Sequence, residues 1–334
     1  MRHLVLLGTG GTIATRRAEG GRRVEVGAAE LLRSAESVWD LDAHVEVREV
    51  AGMVSFAAEV SDVLAFAESV RAAAEDADGV IITHGTDTLE ETAFLLALTH
   101  TGRAPVVLTG AQRPFDDPAP DGPRNLAAAL RWAASAESDH SGVTIAFADD
   151  ILPAVGARKT HSLNLRAFSA PDRGPVGHVD EAGVRRHGNN PQVPLLAPGT
   201  RDLPRVEVIA QYLGADASAF EHAVTSGARG LVVAGFGAGN TTPAATGACL
   251  ELLERGIPVL VTTRTGAGPV AGLYAGGGAD LAAAGAVFAG DLSPWQARLL
   301  LAGALSTETE PGVEPVAERC RAWLREVGVV ARNS

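Results

Sequence analysis

Three polar residues of this chain have side chains of types that act together in acyl transfer: Thr12, Thr86 and Lys159. Thr12 follows an apolar run, Thr86 is directly followed by Asp87, and Lys159 directly precedes Thr160. A threonine hydroxyl is a poor nucleophile until a base removes its proton. A lysine near a carboxylate can pass a proton between hydroxyl, amine and water, and the free N–H groups of glycine-rich turns can hold an oxyanion. This set of residues predicts nucleophilic chemistry at a threonine.

Lys159 is the only lysine of the chain, although lysine and arginine together number 28. Arginine stays protonated at any accessible pH, whereas a lysine that is removed from water can shift its pKa and exchange a proton. The lone lysine is therefore a candidate for a proton-transfer role. Chance survival of a single lysine in an arginine-rich chain explains the count equally well, so both interpretations stay open at this point.

Residues 79–94 are predicted to hold Thr86 and Asp87 at the carboxyl end of a buried strand. The apolar run 80–82 ends at a Thr-His-Gly turn, and a helical pattern follows with two glutamates in its first turn. Asp87 or a neighbouring threonine is predicted to cap this helix, while Gly85 lets the chain turn. Open α/β sheets bind their ligands at such strand ends. A capped helix without any catalytic role would give the same pattern.

Two further features beside predicted strand ends are His84 and the turn 8–12. His84 is predicted to satisfy hydrogen bonds within its turn rather than to take part in catalysis. The turn 8–12 contains three glycines and permits close approach of the backbone to a ligand. It matches the first two glycines of the dinucleotide-binding fingerprint, but Ile13 stands where the third is required. Nucleotide binding is therefore disfavoured.

Strand-like apolar runs alternate with helical patterns, which predicts an α/β fold with a mainly parallel sheet flanked by helices on both faces. The pattern divides into a larger N-terminal domain over residues 1–187, a connector over 188–205 and a smaller C-terminal parallel-sheet domain over 206–334. Residues 15–27, rich in arginine and glycine, are predicted to form a mobile loop. The alternation also lapses between 151 and 206, where polar loops are expected.

The composition excludes several classes of partner. The 334 residues carry a formal charge of −12, with 28 cations against 40 anions, so neither nucleic acid nor an anionic membrane is an expected partner. Cys249 and Cys320 lack the spacing of a metal site and are predicted to pack in the core without forming a disulfide. The apolar run after Met1 is too short for a secretory signal, and no later segment is long enough to span a bilayer. A cytoplasmic location is therefore expected.

Three segments carry a resemblance to a known family: 10–14, 84–93 and 110–114. They resemble the signature motifs of bacterial-type L-asparaginases, and the combination is highly specific. The likeness continues over nearly the whole chain, through 121–126, Lys159-Thr160, 174–177, 237–240 and 294–298. It implies a two-domain α/β fold, hydrolysis of L-asparagine, and a homotetramer built as a pair of intimate dimers.

The resemblance also implies roles for individual residues. Thr12 would be the nucleophile that attacks the side-chain carbonyl of the substrate, and Thr86, Asp87 and Lys159 would form a second triad that manages a proton during hydrolysis. The implied substrate-binding residues are Asp87 for the α-amino group, Ser55 for the α-carboxylate, Gly85 and Ala111 for the amide through backbone groups, and Asn240 contributed by the partner subunit. No metal or organic cofactor is expected, because acyl transfer from an amide needs only a nucleophile, a proton relay and oxyanion donors.

Two departures from the family pattern affect these expectations. The family commonly has a tyrosine in the loop after the first strand, whereas this loop, residues 16–23, has arginines, and the glutamate that partners the tyrosine is also missing. We expect Tyr274 of the neighbouring subunit, or an arginine of the loop, to help activate Thr12. Phe56 stands where many members have glutamine beside the serine. Loss of that polar contact predicts weak glutaminase activity relative to asparaginase activity.

The same residues also fit functions other than that of an L-asparaginase. The chain could be an amidase acting on a different amide, such as the asparaginase-like subunit of a tRNA-dependent amidotransferase, but the acidic charge disfavours a tRNA partner. It could also be a non-catalytic amino-acid sensor in which the altered loop abolished the chemistry and kept the binding. The presence of Thr12, Thr86, Asp87 and Lys159 together argues against a sensor.

Overall fold

The computed structural model describes residues 1–50, 54–190, 196–197, 199–307 and 315–329. The chain divides into two compact units, Met1–Arg201 and Asp202–Ser334. Part of the predicted connector, residues 191–195 and 198, lies outside the described residues.

The first unit contains strands and helices in alternation. Its strands are β1 (Arg2–Gly8), β2 (Thr15–Ala18), β3 (Gly21–Val24), β4 (Ala43–Glu49), β5 (Gly79–Thr83), β6 (Val106–Thr109), β7 (Val143–Phe147), β8 (Asp150–Pro153), β9 (Arg158–Lys159), β10 (Phe168–Ser169), β11 (Gly177–Asp180) and β12 (Gly183–Arg186). Its α-helices are α1 (Ala28–Glu36), α2 (Val60–Asp76), α3 (Leu89–Thr99) and α4 (Gly122–Ala134).

The main sheet of this unit has eight strands in the order β12-β11-β8-β7-β6-β5-β1-β4. The five strands from β7 to β4 run parallel to their neighbours, and β8, β11 and β12 join antiparallel. The predicted class, a mainly parallel sheet with helices, is confirmed.

The side chains of the parallel strands alternate between two apolar cores, one on each face of the sheet. Leu4 and Leu6 of β1 belong to the core that includes residues of α1 and α4. Val5 and Leu7 belong to the core that includes residues of α2 and α3. Successive side chains of a strand point to opposite faces, so a strand that is apolar at every position must be covered on both sides. This burial fixes the strands whose ends carry the candidate site.

Two segments that the sequence analysis predicted as loops contain strands. Residues 15–27 hold an antiparallel hairpin in which β2 pairs with β3 from Thr15 opposite Val24 to Ala18 opposite Gly21. Residues 151–206 hold most of β8 and all of β9 to β12. These strands are short, and several are polar or exposed, so they lack the apolar run that reveals a buried strand. The chain reverses into β8 at Ala148 and Asp149, whose φ angles are 50° and 71°.

The second unit has a smaller parallel sheet, as predicted, and this sheet has four strands. The strands are β13 (Val206–Ala210), β14 (Gly230–Gly235), β15 (Val259–Thr263) and β16 (Val287–Phe288), in that order across the sheet. The helices are α5 (Ser218–Thr225), α6 (Pro243–Glu254), α7 (Gly278–Ala283), α8 (Pro294–Ser306) and α9 (Val316–Glu326). Both α6 and α8 begin with proline after a hydroxyl residue whose side chain caps the helix.

Both cysteines are buried in the second unit and form no disulfide. Burial raises the pKa of the Cys249 and Cys320 thiols to about 12. The predicted packing role of these two residues is confirmed. Within the described residues, no helix is long and apolar enough to cross a membrane.

Candidate active site

The candidate site is built on the carboxyl ends of three adjacent parallel strands, β1, β5 and β6. Gly8 of β1 lies opposite Thr83 of β5, and Thr83 lies opposite Thr109 of β6. The hydrogen bonding continues past the strand ends, since His84 N–H donates to Thr109 O at 2.8 Å. The turns that carry the candidate motifs therefore leave the sheet side by side at one edge, where open α/β sheets place their ligand sites.

Glycines allow these turns to come into backbone contact. A Cβ atom on Gly11 would lie 2.5 Å from the backbone nitrogen of Gly85, and one on Gly110 would lie 2.6 Å from the carbonyl oxygen of His84. Gly11 also has a φ of 85°, which side chains disfavour. Because Thr12 follows Gly11 and Thr86 follows Gly85, the two candidate threonines extend from backbones that touch.

The structure brings Thr86, Asp87 and Lys159 together by hydrogen bonds. Lys159 Nζ donates to Thr86 Oγ1 at 2.9 Å and to Asp87 Oδ1 at 2.8 Å. Thr86 is buried, and the Lys159 side chain is 17% exposed, whereas the Asp87 side chain is 56% exposed. An amine that is shielded from water thus joins a buried hydroxyl to a carboxylate that remains open to solvent.

The prediction that Asp87 or a neighbouring threonine caps α3 is confirmed for the position of the cap, but not for a side-chain hydrogen bond. The residue that caps α3 by position is Thr88, and its side chain makes no capping hydrogen bond. The Thr88 hydroxyl instead donates to the carbonyl oxygen of Ser55 at 2.9 Å. The Asp87 carboxylate is held by Lys159, so tertiary contacts take both polar side chains away from the helix terminus.

Ser55 lies against the same turn. It begins a short 3₁₀ turn, Ser55–Ala57, and is 5% exposed. A Cβ atom on Gly85 would lie 2.3 Å from Ser55 Oγ, so the serine hydroxyl lies directly over the glycine backbone. Phe56, the neighbouring residue, is 78% exposed. The serine therefore belongs to the cluster, and the phenylalanine stands open to solvent beside it.

Thr12 has a different environment from Thr86. It begins the 3₁₀ turn Thr12–Ala14 and is partly buried. Among the residues that the structure describes, its hydroxyl has no hydrogen-bond partner. Its carbonyl oxygen accepts a bond of 2.8 Å from the Thr15 hydroxyl at the start of β2. The turn is thus fixed through its main chain, and the hydroxyl is left available.

Three arginines of the hairpin contact groups of other segments. Arg16 donates to Glu30 at 2.7 Å and lies over the ring of Phe115. Arg17 donates to Asp117 at 2.8 Å, and Arg22 Nη1 lies 3.4 Å from the carbonyl oxygen of Gln112. These contacts explain how a segment without an apolar pattern holds an ordered hairpin.

His84 has the structural role that the sequence predicted. It is fully buried, with Nδ1 at 2.7 Å from Gly85 O and Nε2 at 3.2 Å from the Thr92 hydroxyl. Burial lowers the pKa of the imidazole. A neutral ring that donates from Nδ1 and accepts at Nε2 satisfies both neighbours, so His84 ties the turn to α3.

The third turn is organised by a residue to which the sequence analysis gave no role. Asp121 accepts hydrogen bonds from the backbone N–H groups of Gln112 and Arg113, at 3.0 and 2.9 Å. Asn125 donates to Gly110 O at 3.0 Å. Ala111 is fully buried between these anchors. The predicted backbone role of Ala111 thus depends on a turn that is fixed on both sides.

Gln112 and Glu90 connect this turn and α3 to the lysine cluster. The Thr86 hydroxyl lies 3.4 Å from Gln112 Oε1, and Gln112 Nε2 donates to the carbonyl oxygens of Ser162 and Asn164. Glu90 Oε2 accepts the backbone N–H of Lys159. Both residues lie inside segments that carry the family resemblance, 84–93 and 110–114, but the sequence analysis assigned neither of them an individual role.

Asn240 and Tyr274 lie in the second unit. The Asn240 side chain accepts a hydrogen bond of 3.4 Å from Gly278 N–H, and Asn240 also bridges to Phe236 through the backbone. Tyr274 is 64% exposed. The turn after β14 and the glycine run 276–278 are therefore in contact within this unit.

Within the described residues, no group of three or more His, Cys, Asp and Glu side chains could hold a metal ion. The first unit offers instead two hydroxyls on touching turns, one amine and one exposed carboxylate. Such a set can attack a carbonyl group and move protons.

Comparison with known proteins gives matches over both units. The family model "Asparaginase, N-terminal" matches residues 3–192, and "Glutaminase/Asparaginase C-terminal domain" matches residues 205–313. A probable L-asparaginase of Deinococcus radiodurans is 36% identical over 89% of this chain and 91% of its own length. L-asparaginase 2 of Bacillus subtilis is 31% identical over 92% and 83%.

A solved structure is also similar throughout. The crystal structure of a probable cytoplasmic L-asparaginase from Campylobacter jejuni has a TM-score of 0.86 and 34% sequence identity, and the match covers 96% of this chain and 99% of that chain. Sequence and fold therefore agree over nearly the full length, and the chain belongs to the asparaginase family.

Proposed function

We propose that this protein hydrolyses L-asparagine to L-aspartate and ammonia through a threonyl acyl-enzyme. The observation that carries the proposal is the hydrogen-bonded cluster in which Lys159 Nζ contacts both Thr86 and Asp87. The similarity to L-asparaginases of Deinococcus radiodurans, Bacillus subtilis and Campylobacter jejuni supports asparagine as the substrate.

In the proposed reaction the Thr12 hydroxyl oxygen attacks the side-chain carbonyl carbon of asparagine. The carbon–nitrogen bond breaks, and ammonia leaves after gaining a proton. Water then attacks the ester carbon, and the Thr12 oxygen leaves as the hydroxyl. Thr86, Lys159 and Asp87 carry the protons of these steps, because the amine lies within hydrogen-bond distance of both other groups.

Substrate binding is proposed at groups around this cluster. The exposed Asp87 carboxylate suits the α-amino group of the substrate, and the Ser55 hydroxyl suits the α-carboxylate. Backbone groups of Gly85 and Ala111 would line the amide pocket. Ala111 is fully buried, so this contact requires its neighbours to uncover the backbone when substrate enters.

We further propose that each subunit has an N-terminal domain over 1–187, a connector over 188–205 and a C-terminal domain over 206–334. The subunits would form a homotetramer built as a pair of intimate dimers. Asn240 of one subunit would complete the site of its partner. Mixing inactive Thr12→Ala and Asn240→Ala subunits tests this, because hybrid dimers would contain one site with both residues. Recovery of activity on mixing is expected, and its absence after proven subunit exchange would contradict the shared site.

The activation of Thr12 is assigned to Tyr274 of the neighbouring subunit or to a hairpin arginine. Tyr274 is exposed on its own unit, which leaves its hydroxyl available. The Tyr274→Phe variant distinguishes these two alternatives. Unchanged turnover would exclude Tyr274 as the activating group and leave an arginine of the hairpin.

Weak glutaminase activity is proposed from Phe56. Its exposed ring cannot supply the polar contact that glutamine would give beside Ser55. Comparing kcat/KM for asparagine and glutamine tests the selectivity, and similar values for the two amides would contradict it.

An ammonia-release assay on asparagine, glutamine and several other amides tests the main proposal. Release from asparagine with balanced formation of aspartate is expected. Release only from another amide would identify a different amidase, and asparagine binding without release would identify a sensor.

A cytoplasmic location is also proposed, and fractionation of the source cells tests it.

A further inference from the structure

Glu90 is a buried acid directly behind the lysine cluster. It is the second residue of α3 and is 6% exposed. Its Oε2 atom accepts the backbone N–H of Lys159, a residue 69 positions later in the chain. The same lysine donates from its side chain to Thr86 and Asp87. Glu90 therefore holds the main chain of the residue whose amine joins the cluster.

This contact matters because Lys159 has little other regular structure around it. Strand β9 has two residues, and among the residues that the structure describes it pairs with the two residues of β10, where Phe168 lies opposite Lys159. A ladder this short fixes a main chain weakly. The bond to Glu90 ties the other side of Lys159 to a helix that packs in the core of the unit.

Charged groups near Glu90 lie on its own helix and on β9. Glu91 lies beside it on α3, and Arg158 and Lys159 lie on β9, where Arg158 is 3.8 Å from Asp172. Burial raises the pKa of the Glu90 carboxyl to about 7, and the charge of Glu91 adds to this rise. The hydrogen bond from Lys159 N–H and the charges of Arg158 and Lys159 partly oppose it. The acid thus changes its charge near neutral pH.

We propose that Glu90 is a positioning residue that fixes Lys159 through its main chain and adjusts the charge around its amine by gaining or losing a proton. This inference rests on the proposed hydrolysis of asparagine. When Glu90 is ionised, a second carboxylate besides Asp87 stabilises positive charge on Nζ. In the neutral form of the amine, with its lone pair turned towards Thr86, the step in which the Thr86 Oγ1–H bond breaks and the proton joins Nζ is then favoured, with the electron pair left on the oxygen.

The test compares Glu90→Gln with the neighbouring Glu91→Gln in the full-length protein. Glutamine keeps the size of glutamate and an oxygen that can accept the Lys159 N–H, but it cannot ionise. The kcat/KM of the wild type is expected to rise as the pH rises through about 7, and that of Glu91→Gln is expected to rise in the same way at a somewhat lower pH, because Glu91 adds to the rise of the Glu90 pKa. Glu90→Gln is expected to match the wild type near pH 6, and to fall about tenfold behind it near pH 8, with KM within about twofold.

A second variant, Glu90→Ala, removes the acceptor as well as the charge. A loss of about 100-fold in kcat at all pH values is expected, because a displaced catalytic group loses its alignment. A Glu90→Gln profile of the same shape as the wild-type profile would overturn the charge role. Full kcat in Glu90→Ala would overturn the positioning role.

Two measurements keep the test decisive. Infrared spectra of the wild type between about pH 6 and pH 8 should lose the band of a buried protonated carboxyl, and the absence of such a change would overturn the inference even if the variants fail to fold. A wild type that releases no ammonia from asparagine would instead contradict the proposed function.

Discussion

The amine of Lys159 lies 2.9 Å from the hydroxyl oxygen of Thr86, and the two residues are 73 positions apart in the chain. The lysine side chain is mostly buried, yet it reaches the exposed Asp87 carboxylate at 2.8 Å. A compact amine with rotatable N–H bonds can serve both acceptors from one position. This arrangement accounts for the one lysine in a chain that otherwise uses arginine.

Replacement of Lys159 by arginine or methionine is expected to lower kcat by about 100-fold or more, the range in which proton-transfer groups contribute. Arginine keeps the charge, but it cannot exchange a proton and its planar group needs more room than the amine. Steady-state kinetics on asparagine measure the effect, with circular dichroism as the check of folding. An arginine variant with wild-type kcat would show that charge alone suffices.

The two threonines are expected to give different results when the acyl-enzyme is trapped. In Thr86→Ala, acid quenching after mixing with asparagine should leave an ester on Thr12, detectable by mass spectrometry, because the nucleophile remains. In Thr12→Ala no ester should form. The reverse pattern, with the ester on Thr86, would exchange the two roles.

Thr160→Ala is the matched control for these variants. Thr160 is next to Lys159 in the chain, but it is exposed to solvent. Its hydroxyl donates to the carbonyl oxygen of Ala167 at 3.4 Å and is therefore not part of the cluster. Its kcat is expected to stay within about threefold of the wild type, as for a surface change away from special features.

The sequence predicted the strand ends of the site because their signals are local. An apolar run followed by a glycine turn identifies β1, β5 and β6, and the family resemblance assigns Thr86, Asp87 and Lys159 to one triad. The parallel sheet then follows from the alternation of strands with helices.

Contacts between distant segments could not be predicted in the same way. Glu90 accepts a hydrogen bond from Lys159, which is 69 positions away in the chain. No local sequence pattern in α3 predicts that bond. The hairpin β2–β3 is held by Arg16 and Arg17 on acidic partners from other elements. The residues of these two strands belong to none of the apolar cores that the structure describes, so the strands are mostly polar and show no hydrophobic periodicity.

Gly11→Ala is expected to destabilise the protein and to abolish most activity. The added Cβ would be placed at a φ of 85° and within 2.5 Å of Gly85 N, a backbone atom that cannot rotate away. Strain and overpacking together should cost about 3 kcal/mol or more, measured by urea unfolding.

Gly20→Ala separates the two causes. Gly20 has nearly the same φ, 84°, but a Cβ there meets nothing within 4 Å. It should lose only the strain energy, about 1–2 kcal/mol. Equal losses in the two variants would mean that the contact between the turns contributes nothing.

The stability of the protein should report the ionisation of Glu90 as the pH changes. Its pKa is raised from 4.5 to about 7 by burial, so the folded state binds the proton more tightly than the unfolded state. Between these two values the unfolded chain has lost more protons than the folded one, and stability falls as the pH rises. Above about pH 7 the full cost is present, roughly 3 kcal/mol as an upper estimate.

Glu90→Gln removes this cost because its amide cannot ionise. Relative to the wild type, the variant should therefore gain stability on going from about pH 5 to about pH 8, while Glu91→Gln should gain much less, because burial is the larger cause of the raised pKa. Urea unfolding midpoints at the two pH values, taken for all three proteins, give the difference. A Glu90→Gln advantage that is the same at both pH values would mean that Glu90 keeps an ordinary pKa in the folded protein.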